Sequence, residues 1–144
     1  MTSAFAKIAA EHGIGEFLPS LPSAHFIDGA WTPSSSGNMM QSFDPGSGEA
    51  FHDFAAGNAD DVNRAVENAH AALNGDWGNA SPVARGVILS RAAALIRENA
   101  SRLALAECLD SGKPLQEAEG DVAGAARCFD YYAGLPDKME GRTL

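Results

Sequence analysis

The apolar residues of this chain change period once, near residue 58, and that change limits the fold more than any other feature. Ahead of it the pattern is that of short strands. His25-Phe26-Ile27 leads into Asp28-Gly29 and then Ala30-Trp31. Asp-Gly between apolar runs signals a two-residue hairpin turn, because both residues tolerate positive φ. After a polar loop, Met39 to Phe43 reads as a further strand, Asp44-Pro45-Gly46-Ser47-Gly48 as a turn, and Glu49 to Ala55 as the returning strand. Beyond residue 58 the spacing is helical. Asn58 is an N-cap candidate, with Asp60 and Asp61 in the first turn, and Val62, Ala65, Val66, Ala69 and Leu73 form one stripe, ended by Gly75.

The rest of the chain continues in helical period. Gly75 to Asn79 reads as a loop, and Ser81-Pro82 as an N-cap followed by proline at the first helical position. Ile88, Ala92, Leu95 and Ile96 form the next stripe, which Asn99-Ala100-Ser101 interrupts. Leu105, Cys108 and Leu109 give a third, stopped by Gly112 and Pro114. The last helix runs from about Leu115 to Ala133, with Ala118, Val122, Ala125, Ala126, Phe129 and Ala133 inward, and Gly134 and Pro136 close it. Residues 1–24 form an N-terminal arm: a short amphipathic stretch (Phe5, Ile8, Ala9), then a linker whose Pro19 and Pro22 oppose helix. The expected order is two β-hairpins followed by about four helices.

Charge narrows the function classes. Ten Lys and Arg against nineteen Asp and Glu give a formal net charge of −9. The arginines Arg85, Arg91, Arg97 and Arg102 fall on helix faces, so no basic patch offers itself to phosphates and no nucleic-acid partner is expected. No apolar run reaches the roughly 18 residues that a membrane span requires. Met1 to Ala10 has one lysine and no long apolar stretch, unlike a signal peptide, and a cytoplasmic location is expected.

The residues that could carry chemistry are few. Gly46-Ser47-Gly48 is followed by a strand, where a dinucleotide phosphate cradle needs a helix N-terminus. Cys108 sits on an apolar stripe, which favours an inert thiol, and Cys128 lies at the margin of its helix. The four histidines are scattered without ligand spacing. Lys113 lacks the frame of a phosphate loop, and Glu117, Glu119 and Asp121 suit the helix dipole. Gly120 and Gly124, four apart inside a helix, each cost about 1 kcal/mol against Ala. They mean either close helix packing or space left for a ligand, and the residues alone favour packing.

The order of motifs resembles the opening of the aldehyde dehydrogenase superfamily. Phe26-Ile27-Asp28-Gly29-Ala30-Trp31 and Phe43-Asp44-Pro45-Gly46-Ser47-Gly48-Glu49 match its first two motifs, with Asp44 where the family has Asn. Asp60 to Val66, Arg85 to Leu89, Glu107 to Pro114 and Tyr131 to Gly134 follow in order, over residues 24–144. The resemblance implies an α/β fold, of which residues 25–144 would be the N-terminal part of the cofactor-binding domain, stopping before the oligomerisation strand and the catalytic domain. It implies an NAD- or NADP-dependent enzyme that oxidises an aldehyde to an acid and forms homo-oligomers.

The same resemblance assigns a monovalent-cation site to Ser42, Phe43 and Asp110, and a wall of the aldehyde entrance tunnel to Gly120, Asp121 and Gly124. It places no catalytic or cofactor-binding residue in this sequence: no segment matches the family's cofactor loop, glutamate motif or cysteine nucleophile. The chain alone is therefore expected to be inactive, to bind no cofactor, and to be marginally stable or self-associating. The alternative is a non-catalytic interaction module or subunit fragment with the same partial fold.

Overall fold

The computed structural model describes residues 18–141 and, ahead of them, Lys7, Ala10, Glu11, Gly13 and Gly15. The amphipathic stretch at Phe5, Ile8 and Ala9 lies outside the described residues. Strands β1 (His25–Ile27) and β2 (Ala30–Thr32) form one antiparallel pair, with Phe26 opposite Trp31. Strands β3 (Met39–Phe43) and β4 (Ala50–Ala55) form a second, with Met40 opposite Phe54 and a register shift between Ser42 and Phe43. The first turn is built as its sequence dictates: Asp28 and Gly29 have φ of 56° and 70°. Backbone bonds from Ala55 N to Ser23 O and from Ala56 N to Asn38 O, both 2.9 Å, tie the end of β4 to the segments ahead of β1 and β3.

Helix α1 (Ala59–Ala71) opens on a capping box. Asn58 Oδ1 accepts from the amides of Asp60 and Asp61 at 2.9 and 3.1 Å, and Asp61 Oδ2 accepts from the amide of Asn58 at 3.2 Å. A single turn, α2 (Asp76–Asn79), stands where the sequence predicts loop. Helix α3 (Pro82–Glu98) has Ser81 as N-cap, its hydroxyl accepting from Ala84 N at 3.2 Å. Asn99 separates it from α4 (Ala100–Ser111), as the interrupted stripe implies. Gly112, with φ of 73°, caps α4 in the left-handed conformation. Helix α5 (Leu115–Ala133) follows and packs on both α3 and α4.

The core is small and lies at the α4 end. Leu18, Leu105 and Leu109 are buried together, with Leu21, Phe51 and Leu115 packed against them. Ala104, Ala118 and Val122 form a second cluster with Ile96, Ala100 and again Leu115. The prolines of the N-terminal segment do not exclude helix there. Leu18–Ser20 makes one 3-10 turn, and that turn carries Leu18 into the core. Burying a leucine is worth roughly 1.5–3 kcal/mol, enough to fix a short segment.

Three predicted stripes are rotated or unpartnered. On α1, Val62 and Val66 are exposed, and so is Leu73 just beyond the helix, while Asp61, Ala65 and Asn68 turn inward. On α3, Ile88 and Leu95 are exposed, and the inward row is Gly86, Leu89, Ala93 and Ile96. On α5, Ala118, Val122 and Ala126 are buried as expected, but Ala125 and Phe129 face outward. On α1 the inward face is polar, bonded to the hairpin and its loop through Asp61 and Asn68; on α3 and α5 the reason is packing distance. Where helices meet through Gly86 and Ala93, small residues take the interface and the larger apolar neighbours are left outside.

Candidate functional site

Position by position, the predicted site residues fall on two junctions. The first joins β3 to α4. Ser42 Oγ donates to Asp110 Oδ1 at 2.5 Å across 68 residues of sequence. Pro45, in the turn after β3, lies so close to Gly112 that a Cβ there would sit 2.8 Å from the proline ring. Ser42 and Asp110 also line one cleft with Phe51, His52, Phe54 and Glu107. The structure thus brings together Ser42 and Asp110, with Phe43 next along β3. Among the described residues no group of three or more His, Cys, Asp or Glu is arranged to hold a metal ion.

The second junction joins α4 to α5. Lys113 Nζ donates to Glu107 Oε1 and to Asp121 Oδ2, each at 2.5 Å. These carboxylates, Asp121 ahead of Glu107, hold Lys113 protonated well above the ordinary lysine range. The pair fixes the first two turns of α5, where Gly120 and Asp121 sit. A Cβ on Gly120 would meet nothing within 4 Å, and one on Gly124 only Arg127 Nη2 at 3.8 Å. Among the described residues nothing packs closely against either glycine. The close helix approach is at Gly86 instead, where a Cβ would lie 2.5 Å from the backbone oxygen of Ala133. Gly120 and Gly124 border open space.

Sequence reasoning missed the acid that is the most densely bonded among the described residues. Asp61 is 3% exposed. It accepts from Ser34 Oγ and Ser35 N, both at 3.0 Å, from Asn58 N at 3.2 Å and from Arg64 Nη2 at 3.2 Å, and His25 Nε2 lies 3.8 Å away. Burial opposes its charge, but the amides of Ser35 and Asn58 and the hydroxyls of Ser34 and Ser35 outweigh it. The pKa falls from the ordinary 3.8 to about 2. These bonds join the loop after β2 to α1, so Asp61 is an anchor for the hairpin. The capping position was legible. The partners, 26 and 27 residues away, were not.

The turn at Asp44 settles the question of a phosphate cradle. The amides of Gly46 and Ser47 point at the Asp44 carboxylate, at 3.1 and 3.0 Å, and Ser47 Oγ donates to it at 2.6 Å. The Ser47 hydroxyl, against the cost of burial and with both amides, holds the Asp44 carboxyl below the usual range. The donors that an anion would need already serve an internal one, and β4 follows the turn, so this turn does not fit a dinucleotide pyrophosphate. Both cysteines are free, Cys108 half-buried and Cys128 exposed.

Comparison with known proteins matches this architecture. The Aldehyde dehydrogenase family profile matches residues 31–144. An aldehyde dehydrogenase of Aspergillus niger is 34% identical over all 144 residues, which are 28% of its own length. Aminoaldehyde dehydrogenase 2 of Zea mays is 40% identical over 121 residues, covering 81% of this chain and 24% of that one. Among solved structures, betaine aldehyde dehydrogenase from Staphylococcus aureus, in complex with NAD⁺, superposes with a TM-score of 0.88 at 31% identity, over 94% of this chain and 27% of that one. The chain belongs to the aldehyde dehydrogenase family, and it spans about a quarter of the length of these relatives.

Proposed function

We propose that this chain is the N-terminal part of an NAD(P)⁺-dependent oxidoreductase that converts an aldehyde to a carboxylic acid, and that it supplies scaffold without performing the chemistry. In this reading residues 25–144 belong to the cofactor-binding domain, the complete protein acts as a homo-oligomer, and residues 1–24 are an arm leading into it. The observation that carries the reading is the family match over residues 31–144. The local chemistry supports the division of labour. The Gly46-Ser47-Gly48 turn is filled by Asp44, so its amides are already engaged and leave none for a cofactor phosphate.

Two roles remain for the segment. Ser42, Phe43 and Asp110 contribute oxygen ligands to a monovalent cation, a hard ion suited to carbonyl and carboxylate donors; the Ser42–Asp110 bond supports their convergence. Gly120, Asp121 and Gly124 form one side of the aldehyde entrance, and the open space at both glycines supports a wide entrance suited to a bulky or aromatic aldehyde.

The test is direct. The purified chain, given NAD⁺ or NADP⁺ and a panel of aldehydes, should give no NAD(P)H absorbance and no cofactor binding. Turnover that co-purifies with the chain and vanishes in the double variant Cys108→Ser, Cys128→Ser would overturn the scaffold reading. In the complete enzyme Gly124→Met should lower kcat/KM for large aldehydes more than for small ones; equal loss on both would remove the tunnel assignment.

A further inference from the structure

A second cleft, far from both junctions in sequence, is built differently from the rest of this acidic chain. It opens between α2, the first half of α3, and the end of α5 with the 3-10 turn Pro136–Lys138. Its volume is about 480 Å³, within the range that holds a small molecule. Trp77 and Tyr132 present aromatic surface, Leu89 and Leu135 aliphatic surface, and Arg85 and Lys138 are the charged residues. Among the described residues no acid lines it, although the chain as a whole carries a net charge of −9.

The cations are set in defined positions. The Arg85 guanidinium carbon lies 5.7 Å from the centroid of the Trp77 ring, and Arg85 Nη2 donates to the backbone oxygen of Gly78 at 2.9 Å. Arg85 Nε is buried and has no hydrogen-bond partner among the described residues. Arg85 also lines the cleft, where its guanidinium can meet a carboxylate through a charge-assisted bond. Lys138 Nζ donates to Gly134 O at 2.7 Å and to Asp137 Oδ1 at 2.8 Å, so its ammonium is held at the rim of the cleft. Tyr132 is steadied by Tyr131, whose ring meets it edge-on with centroids 5.3 Å apart.

We propose that this cleft binds a small aromatic carboxylate, its ring between Trp77 and Tyr132 and its carboxylate at Arg85 and Lys138. A neutral ring would gain the apolar contacts and forgo the charge-assisted bond to Arg85. An aliphatic acid would meet the cations and forgo the aromatic faces. The inference stands on this cleft alone and does not depend on aldehyde oxidation.

The experiment titrates benzoate into the ¹⁵N-labelled full chain, held at a concentration where sedimentation shows the monomer, and follows the two indole N–H resonances. Trp31, on the exposed face of β2, is the internal reference. The Trp77 resonance should shift saturably and Trp31 should stay. Benzyl alcohol, the same ring without charge, should bind about tenfold more weakly, the loss expected for a charge-assisted hydrogen bond. Arg85→Gln should weaken benzoate about tenfold, and Lys138→Gln a few-fold. An unmoved Trp77, parallel movement of Trp31, or benzyl alcohol binding as tightly as benzoate would each overturn the proposal. If Arg85→Gln loses the dispersed spectrum of the folded chain, Lys138→Gln and the alcohol still decide it: unchanged benzoate affinity in the first, or equal affinity for the second, refutes it.

Discussion

Gly86 and Gly120 are both helix-interior glycines, and replacing each by alanine should move stability in opposite directions. In either helix, alanine gains about 1 kcal/mol of intrinsic propensity over glycine. At Gly120 nothing lies within 4 Å of the added methyl, so the gain should appear undiminished, as about 1 kcal/mol of stabilisation. At Gly86 the methyl would sit 2.5 Å from the backbone oxygen of Ala133. That neighbour is the last residue of α5 and cannot swing aside as a side-chain tip would, so α3 and α5 must separate. Overpacking of this kind costs about 1–3 kcal/mol, and a backbone obstacle places it in the upper half of that range. Against the propensity gain the net loss is about 1–2 kcal/mol. For a chain of this length that is a fall of roughly 3–8 °C in Tm, with Gly120→Ala rising by roughly 3–5 °C. Thermal unfolding of the 144-residue chain, followed by circular dichroism at one fixed protein concentration, reads both. Gly86→Ala as stable as the parent chain would refute the reasoning, because it would mean that the α3–α5 interface has slack where the structure shows none.

Three further outcomes follow from the same geometry. Asp61 has its pKa depressed from 3.8 to about 2, so the stability tied to its charge is fully present above about pH 4 and is lost as the pH falls through about 2; urea melts across that window should show a steeper acid loss in the parent chain than in Asp61→Asn, and identical slopes would exclude the anchor. Breaking the Ser42–Asp110 bond with Ser42→Ala should cost about 1 kcal/mol, and a double-mutant cycle with Asp110→Ala should show that the two losses are not additive; strict additivity would mean that the bond does not hold β3 to α4. The exposed Val62, Val66, Leu73, Val83, Val87 and Ile88 should make the isolated chain self-associate, seen as a sedimentation coefficient that rises with concentration, whereas one monomeric boundary at all concentrations would contradict it.

The strands, turns and caps were legible because each is decided within a few residues. Asp28-Gly29 could hardly be anything but a tight turn, Asn58 and Ser81 cap where they stand, and Gly112 ends its helix in the left-handed conformation that glycine, lacking a Cβ, adopts without strain. What could not be read were the faces. Val62 and Val66 look like a buried stripe because they are apolar at helical spacing, yet the side of α1 that meets the hairpin carries Asp61 and Asn68, the latter donating to Asp28 Oδ1 at 2.8 Å. A polar docking face has no periodic signal. The Lys113 bridge was hidden for a related reason: Glu107 and Asp121 stand six and eight residues from it across a proline turn, spacings that match no regular element. Of the predicted site residues, the Ser42–Asp110 meeting needed the family resemblance, since no local pattern links residues so far apart.

The two kinds of contact divide the labour within the fold. Helices α3, α4 and α5 meet through alanines, leucines and glycine, a short-range apolar interface whose strength depends on close fit. The hairpin β1–β2 and the loop after it are joined to α1 by hydrogen bonds of Asp61, Asn58 and Asn68, each worth only about 1 kcal/mol net, but each fixed in direction. Directional bonds set where the sheets sit relative to the helices; apolar packing sets how firmly the helices hold. That arrangement leaves the large side chains of α1 and α3 facing outward while the orientation of the elements is already fixed.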